Sequence, residues 1–129
     1  MPGVDTIKTN VKAYKYEGTI APYRACKKGS VNGAVVAIAA ATDIVEGFTI
    51  EPGGAGEMHG IAMDSGQVLV EAGAAITAKT LLTIDSVGRV VTAAPAGGSN
   101  VEIVGKALED AAAAGDLIPM QYTRGVKQG

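Results

Sequence analysis

The 129-residue chain is poor in the side chains on which large cores and reactive sites usually depend. It contains no tryptophan, one phenylalanine, one cysteine and one histidine. With so few large side chains, its core must be assembled from many small Val, Ile, Leu and Ala side chains, each of which buries little area. We therefore expect other subunits to complete part of the apolar surface.

The scarcity of cysteine and histidine also limits the chemistry. The single cysteine, Cys26, excludes an intrachain disulfide and a metal cluster built on thiolates, and we interpret it as a small buried residue. The single histidine, His59, has no companion serine or cysteine motif, so we interpret it as a partly buried structural residue. The sequence therefore predicts no catalytic residues, no metal site and no cofactor.

Charge and hydropathy argue against two classes of partner. The net charge of −2 gives no general attraction to nucleic acid or to anionic membranes. No run approaches the roughly 20 apolar residues that a membrane span needs. The glycine-rich stretch at residues 53–60 misses the spacing of a phosphate-binding loop.

Glycine is abundant, at 18 residues, and it marks a repeated pattern. Residues 30–36 are echoed by residues 86–91, and residues 47–51 by residues 105–109. A repeat of this length with turn residues at matching places predicts two copies of one supersecondary unit, in halves of about 30–66 and 86–125. The positions that we expect to need glycine for a turn or for the fold are Gly33, Gly47, Gly56, Gly88, Gly105 and Gly115.

Turn signals and period-two alternation predict that the body of the protein, residues 23–129, is all-β. Asn32-Gly33 is a strong hairpin signal. Apolar residues alternate with polar ones from Ile76 to Ile84, which is typical of a strand with one buried face. We expect a compact, glycine-rich β-barrel or β-tulip-like domain built from two related halves.

Residues 1–22 differ from this body, and we predict that they form an extended N-terminal arm. Lysines alternate there with isolated apolar residues, and the segment has too little apolar content to fold alone. An extended segment can add a strand to an exposed sheet edge of a partner. The arm residues expected to make such contacts are Ile7, Val11, Tyr14, Tyr16 and Ile20.

Four passages, residues 70–79, 83–91, 104–110 and 115–120, resemble the small capsid cement or decoration proteins of tailed bacteriophages. In that family a glycine-punctuated strand pattern ends in a G-x-A-L-E block, here residues 105–109, followed by a small-residue loop and an apolar strand. The similarity covers roughly residues 20–123. Where the family usually has glycine after the Ala-Ile-Thr-Ala stretch, this chain has Lys79.

The resemblance implies a homotrimer on the outer surface of the mature phage capsid, where it stabilises the head against the internal pressure of packaged DNA. The implied partners are the phage major capsid protein, bound in part through the arm, and further copies of the chain, with no nucleic acid and no membrane. The implied location is the virion, after synthesis in the host cytoplasm.

Two alternatives remain open. One is a structural β module of a phage tail or fibre, and the other is a non-catalytic carrier or ligand-binding β domain. A carrier domain needs a lysine displayed at a tight hairpin, and Lys79, Lys106 and Lys127 lack that context.

Overall fold

The computed structural model describes residues 10–63 and 66–128. Over these residues the chain forms ten β-strands and no helix. The strands are β1 (Val11–Tyr16), β2 (Ala25–Lys28), β3 (Ala34–Ala37), β4 (Gly47–Thr49), β5 (Met58–Ala62), β6 (Gln67–Glu71), β7 (Leu81–Ile84), β8 (Val90–Thr92), β9 (Asn100–Ala107) and β10 (Leu117–Gln128). The all-β prediction is confirmed.

The first five strands and the last five form two units with the same connectivity. The first unit is a closed barrel in the order β1-β3-β2-β4-β5, with β1 parallel to β3 and antiparallel to β5. The second unit has the order β6-β10-β9-β7-β8, and a parallel bridge between Ala72 and Val90 joins the end of β6 to β8. Each strand of the first unit therefore has a counterpart five strands later in the chain.

Individual hydrogen bonds repeat between the two units. The carbonyl of Tyr16 accepts from the amide of Gly56 at 2.8 Å, and the carbonyl of Ala72 accepts from the amide of Gly115 at 2.8 Å. The equivalence begins at β1 and β6, so the repeating unit starts earlier than the predicted halves at residues 30 and 86. The first two strands of each unit carry too little sequence similarity to reveal this.

Two glycines at equivalent places in β4 and β9 are required by close contact with the neighbouring strand. A Cβ added to Gly47 would lie 2.5 Å from the carbonyl oxygen of Ala62. A Cβ added to Gly105 would overlap the carbonyl oxygen of Gln121 and the side chain of Met120. The other four glycines singled out in the sequence have positive φ angles, which favour glycine: Gly33, Gly56, Gly88 and Gly115.

Among the described residues, two that are not glycine also have positive φ, and they occupy equivalent places in the two units. Tyr23 has a φ of 61° and Lys79 a φ of 74°. The Tyr23 amide donates to Thr49 O at 2.9 Å, and the Lys79 amide donates to Ala107 O at 2.8 Å. The left-handed residue at 79 interrupts the predicted strand over residues 76–84, so that β7 begins only at Leu81.

The core has two parts. The barrel of the first unit encloses one cluster of buried side chains: Tyr14, Tyr16, Ile20, Cys26, Val35 and Ile61. The second cluster fills the second unit and extends across to the outer face of the barrel, where Ala25, Phe48 and Ala62 lie. The two units therefore share one continuous apolar interface.

Aromatic packing and an ion pair hold this interface together. The Phe48 and Tyr122 rings pack edge to face with centroids 5.3 Å apart, a favoured geometry for buried aromatic pairs. The Arg24 guanidinium contacts the Glu71 carboxylate through Nε at 3.0 Å and Nη2 at 3.4 Å. Both charged side chains are largely buried, with exposed fractions of 29% and 18%.

The structure corrects the prediction of an extended arm over residues 11–22. β1 is an integral barrel strand paired on both edges, with β3 and β5. The side chains of Tyr14, Tyr16 and Ile20 are buried in the barrel. The alternation of lysine with apolar residues, taken as a sign of an arm, instead reflects a strand with one face in the core. The remaining part of the predicted arm, residues 1–9, including Ile7, lies outside the described residues.

We expect Gly47→Ala and Gly105→Ala each to lower the free energy of unfolding by about 2–3 kcal/mol, because the new methyl group forces adjacent strands apart. Gly97→Ala is the matched control, since a Cβ at Gly97 meets nothing within 4 Å. Urea denaturation followed by circular dichroism measures the three variants. Equal stability of all three would contradict the assigned strand contacts.

Lys79→Gly is expected to raise the free energy of unfolding by about 1 kcal/mol, since glycine removes the steric cost of the left-handed conformation. Lys79→Ala keeps the Cβ and with it that cost, so its stability should stay within about 0.5 kcal/mol of the parent. Thermal unfolding of both variants distinguishes the backbone effect from the loss of the lysine side chain.

Candidate interaction surface

A patch of exposed apolar residues lies beside the interface between the two units. Ile44 and Val126, with 71% and 63% of their surface exposed, are the most exposed large hydrophobic residues that the structure describes. They lie far apart in sequence but line the same depression, together with Ile103 and Glu102. Contiguous exposed apolar surface of this kind is typical of interaction sites.

The loop that carries Ile44 is held in place by its neighbours. The Asp43 carboxylate accepts hydrogen bonds from the amides of Ala39 and Ala40 at 2.8 and 2.9 Å, and it pairs with Lys27 at 3.1 Å. These contacts, led by the Ala39 amide, lower the pKa of the Asp43 carboxyl. Ile44 is thus exposed on an ordered loop.

Val126 lies on a two-stranded extension of the second unit. A register shift between Tyr122 and Gly125 separates the first part of β10 from the second, in which residues 125–128 pair with residues 103–100 of β9. We call these two segments, residues 100–103 and 125–128, the β9–β10 ribbon. Gly125 lies opposite Ile103, and Val126 lies opposite Glu102.

Arg124 fixes the base of the ribbon against the first unit. Its Nη2 donates to the carbonyl of Glu46 at 3.3 Å and to the Tyr122 hydroxyl at 3.0 Å. The guanidinium also lies 5.7 Å from the centre of the Tyr122 ring, within the range of a cation–π contact. The patch therefore combines residues from both units and includes charges of both signs, on Arg124 and Glu102.

The sequence-predicted contact residues do not form one surface. Among those described, only Val11 is exposed, at 54%, and it lies on the outer face of the barrel opposite Ala62. The Tyr14 hydroxyl donates to Glu46 Oε2 at 2.8 Å. Burial, followed by this hydrogen bond, raises the pKa of Tyr14 to about 12.

His59 lies at the rim of the barrel between two carboxylates. Its Nδ1 is 3.0 Å from Glu51 Oε1, and its Nε2 is 2.9 Å from Glu57 Oε1. The ring also contacts the Tyr16 ring at a centroid distance of 4.8 Å. The hydrogen bond to Glu57, followed by that to Glu51, raises the pKa of His59. The arrangement orients the imidazole as a structural cross-link at the barrel rim.

Cys26 is fully buried in the barrel, in agreement with its interpretation from the sequence as a small buried residue. The thiol donates to the carbonyl of Gly47 at 3.4 Å. Burial raises the pKa of the thiol to about 12, so it stays protonated at neutral pH.

No group of three or more His, Cys, Asp or Glu side chains suited to a metal ion occurs in residues 10–63 and 66–128. The same residues contain no helix long and apolar enough to cross a membrane.

Sequence reasoning missed Ile44 and Val126. Ile44 follows an alanine-rich stretch, and Val126 stands alone between glycine and lysine. A single apolar residue gives no periodic signal. Only the fold shows that residues 82 positions apart line one depression.

Comparison with known proteins agrees with this architecture. The chain matches the family described as phage cement protein over residues 12–122. A solved structure, the head fiber gp8.5 N base in bacteriophage phi29, has the same fold, with a TM-score of 0.68 and 18% sequence identity, covering 88% of this chain and 93% of that chain. No curated protein sequence matches the chain.

Because the family match spans most of its length, the chain belongs to the phage cement protein family. It is a structural protein associated with the phage capsid.

The His59 contacts predict a pH-dependent contribution to stability. Because the folded-state pKa of His59 is raised, the contribution is present below the unfolded pKa of about 6.5 and is lost as the pH rises through the folded value. The pKa of Glu57 is lowered, mainly by its hydrogen bond to His59, so the same contact is also lost in strong acid.

We therefore expect His59→Gln to cost more stability at about pH 5.5 than at about pH 8.5. Urea midpoints of both proteins at the two pH values measure the difference. Val31→Ala, which changes an exposed side chain that has no titrating group, is the control and should show no comparable pH dependence. An equal cost of His59→Gln at both pH values would contradict the assignment.

Proposed function

We propose that this protein is a head decoration protein that binds the outer surface of the mature phage capsid as a homotrimer and stabilises the head against internal DNA pressure. The observation that carries the proposal is the match to the phage cement family over residues 12–122, which include nearly all of both units. The exposed patch supplies a surface for protein contacts.

The fold suits mechanical reinforcement. A closed barrel has no free sheet edges along its circumference, so each of its strands is paired on both sides. The second unit is joined to the barrel by the Phe48–Tyr122 contact and by the ion pair of Arg24 with Glu71. A load applied to one unit is therefore transmitted to the other through packed side chains.

Trimeric binding turns weak individual contacts into firm attachment. Once one subunit of a trimer contacts the capsid, the other two are held at high effective concentration near their own sites. The small net charge of −2 predicts that apolar contacts dominate and that binding depends weakly on salt. Ile7 and Val11 remain proposed capsid contacts.

A second candidate function is the base of a head fibre. The observation that favours it is the shared fold with the head fiber gp8.5 N base in bacteriophage phi29. In that role the chain would attach a fibre to the head and would add little to the resistance of the capsid. The two functions differ in their effect on head stability.

The test is to mix the purified protein with emptied expanded heads, with unexpanded heads and with free capsid subunits. We expect co-sedimentation with expanded heads above all, with many copies per head bound in groups of three, and a rise in the temperature at which those heads rupture. Binding without any gain in rupture temperature would favour the fibre base. Equal binding to all three samples would remove the case for decoration of the mature lattice.

A further inference from the structure

The β9–β10 ribbon is the main departure from the repeat. The last pair of equivalent hydrogen bonds lies at the end of each unit. The amide of Met63 donates to Asn10 O in the first unit, and the amide of Tyr122 donates to Gly66 O in the second, both at 2.8 Å. After Met63 the chain enters the second unit. After Tyr122 it instead continues through the register shift and pairs with β9 as far as Gln128. The ribbon is thus an addition that the repeated unit does not need.

Both long edges of the ribbon lack a strand partner in residues 10–63 and 66–128. On one side, β10 pairs with β6 only as far as Gln121. On the other side, β9 pairs with β7 only at Lys106 and Gly105, so residues 100–103 have no neighbouring strand beyond β10. A two-stranded ribbon is marginally stable in water, and unpaired edges readily add a strand from another chain.

One of these edges faces a small cavity. The cavity has a volume of about 190 Å³ and lies where β9 separates from the end of β7, under the loop that carries Ile44. Its lining includes Thr83, Ile84, Val101 and Val104. Its lining also includes the polar side chains of Asp43, Asn100 and Glu102, so the space suits short side chains of mixed polarity supplied from outside.

We propose that the β9–β10 ribbon, with Ile44 and Val126, is the contact between copies of this chain. This inference rests on the proposed homotrimer and assigns the surface through which it forms. A cyclic trimer requires a head-to-tail contact between two different surfaces of the same chain. The ribbon offers two different edges, one formed by residues 125–128 and the other by residues 100–103 beside the cavity.

The patch carries both a positive and a negative charge, which suits a second copy of the chain better than a strongly charged partner. Glu102 lies directly across from Val126, and the Arg124 guanidinium lies at the base of the same ribbon. A surface that carries both signs around an apolar centre can be complemented by a different surface of the same mixed character on the next copy, whereas a surface for a strongly charged partner carries one sign. The exposed side chains of Ile44 and Val126 supply the apolar centre.

Val126→Glu and Ile44→Glu test the assignment, with Val31→Glu as the matched control. Val31 is also an exposed aliphatic residue, at 58%, but it lies in the loop between β2 and β3 of the barrel. Sedimentation velocity over a range of concentrations measures the assembly. We expect each patch variant to raise the concentration at half-dissociation by about a hundredfold, since a carboxylate must be desolvated in the contact, while Val31→Glu leaves it unchanged. Urea unfolding of the dissociated chains confirms that the variants remain folded.

Hydrogen exchange separates a contact between copies from a contact with the capsid protein. We expect the amides of residues 123–128 to be protected in the free wild-type trimer, to lose protection in Val126→Glu, and to gain none on binding to heads. Protection that appears only on heads would assign the ribbon to the capsid protein and overturn the inference. A wild-type trimer that tolerates both patch variants would overturn it while leaving the proposed function intact, whereas a wild-type monomer in solution and on heads would overturn the trimer itself.

Discussion

The packing of Phe48 against Tyr122 is the contact on which the arrangement of the molecule depends. Phe48 is the one phenylalanine of the chain, and it lies on the outer face of the barrel rather than inside it. Its edge-to-face contact with Tyr122 joins the barrel to the second unit at the point where β10 changes register. Because Arg124 then binds both the Tyr122 hydroxyl and the carbonyl of Glu46, this one contact also sets the direction of the ribbon.

The two-unit arrangement explains how a chain with few large side chains builds a stable core. A core of small side chains is filled only when the strands around it lie close together. Gly47 and Gly105 permit such close packing at equivalent places in the two units. The few large aromatic residues are used where they bury most area, with Tyr16 in the barrel and Tyr122 at the interface between units. Stability thus depends on close packing of small side chains across a continuous interface, because atoms that line even a small void lose their dispersion contacts.

The sequence predicted the β class because turn residues and period-two alternation are local signals, whereas the repeating unit starts at β1 and β6 rather than at residues 30 and 86. A positive φ or a close backbone contact favours glycine at that position, and the glycine is visible in the sequence. Gly56 and Gly115 are examples with positive φ. The role of residues 11–22 was mistaken because alternating lysines and tyrosines fit either an extended arm or a half-buried strand. Burial of Tyr14 and Tyr16 depends on pairing with β5, more than 40 residues away, and local patterns do not report such a pairing. Ile44 and Val126 were missed for the same reason, since their proximity is a property of the fold.

The repeat also indicates which features reflect the fold and which reflect function. Tyr23 and Lys79 have entirely different side chains, yet both adopt positive φ and donate to equivalent carbonyls. A left-handed conformation retained in both units is therefore a requirement of the unit, because its amide bonds the segment before the second strand to the end of the fourth strand. A feature present in only one unit is not explained by the requirements of the repeated fold. The β9–β10 ribbon is a feature of this kind, and its two outer edges have no strand partner among the residues that the structure describes. In the proposed contact between copies, the unpaired backbone groups of these edges and the exposed side chain of Val126 would find the partners that the isolated chain does not supply.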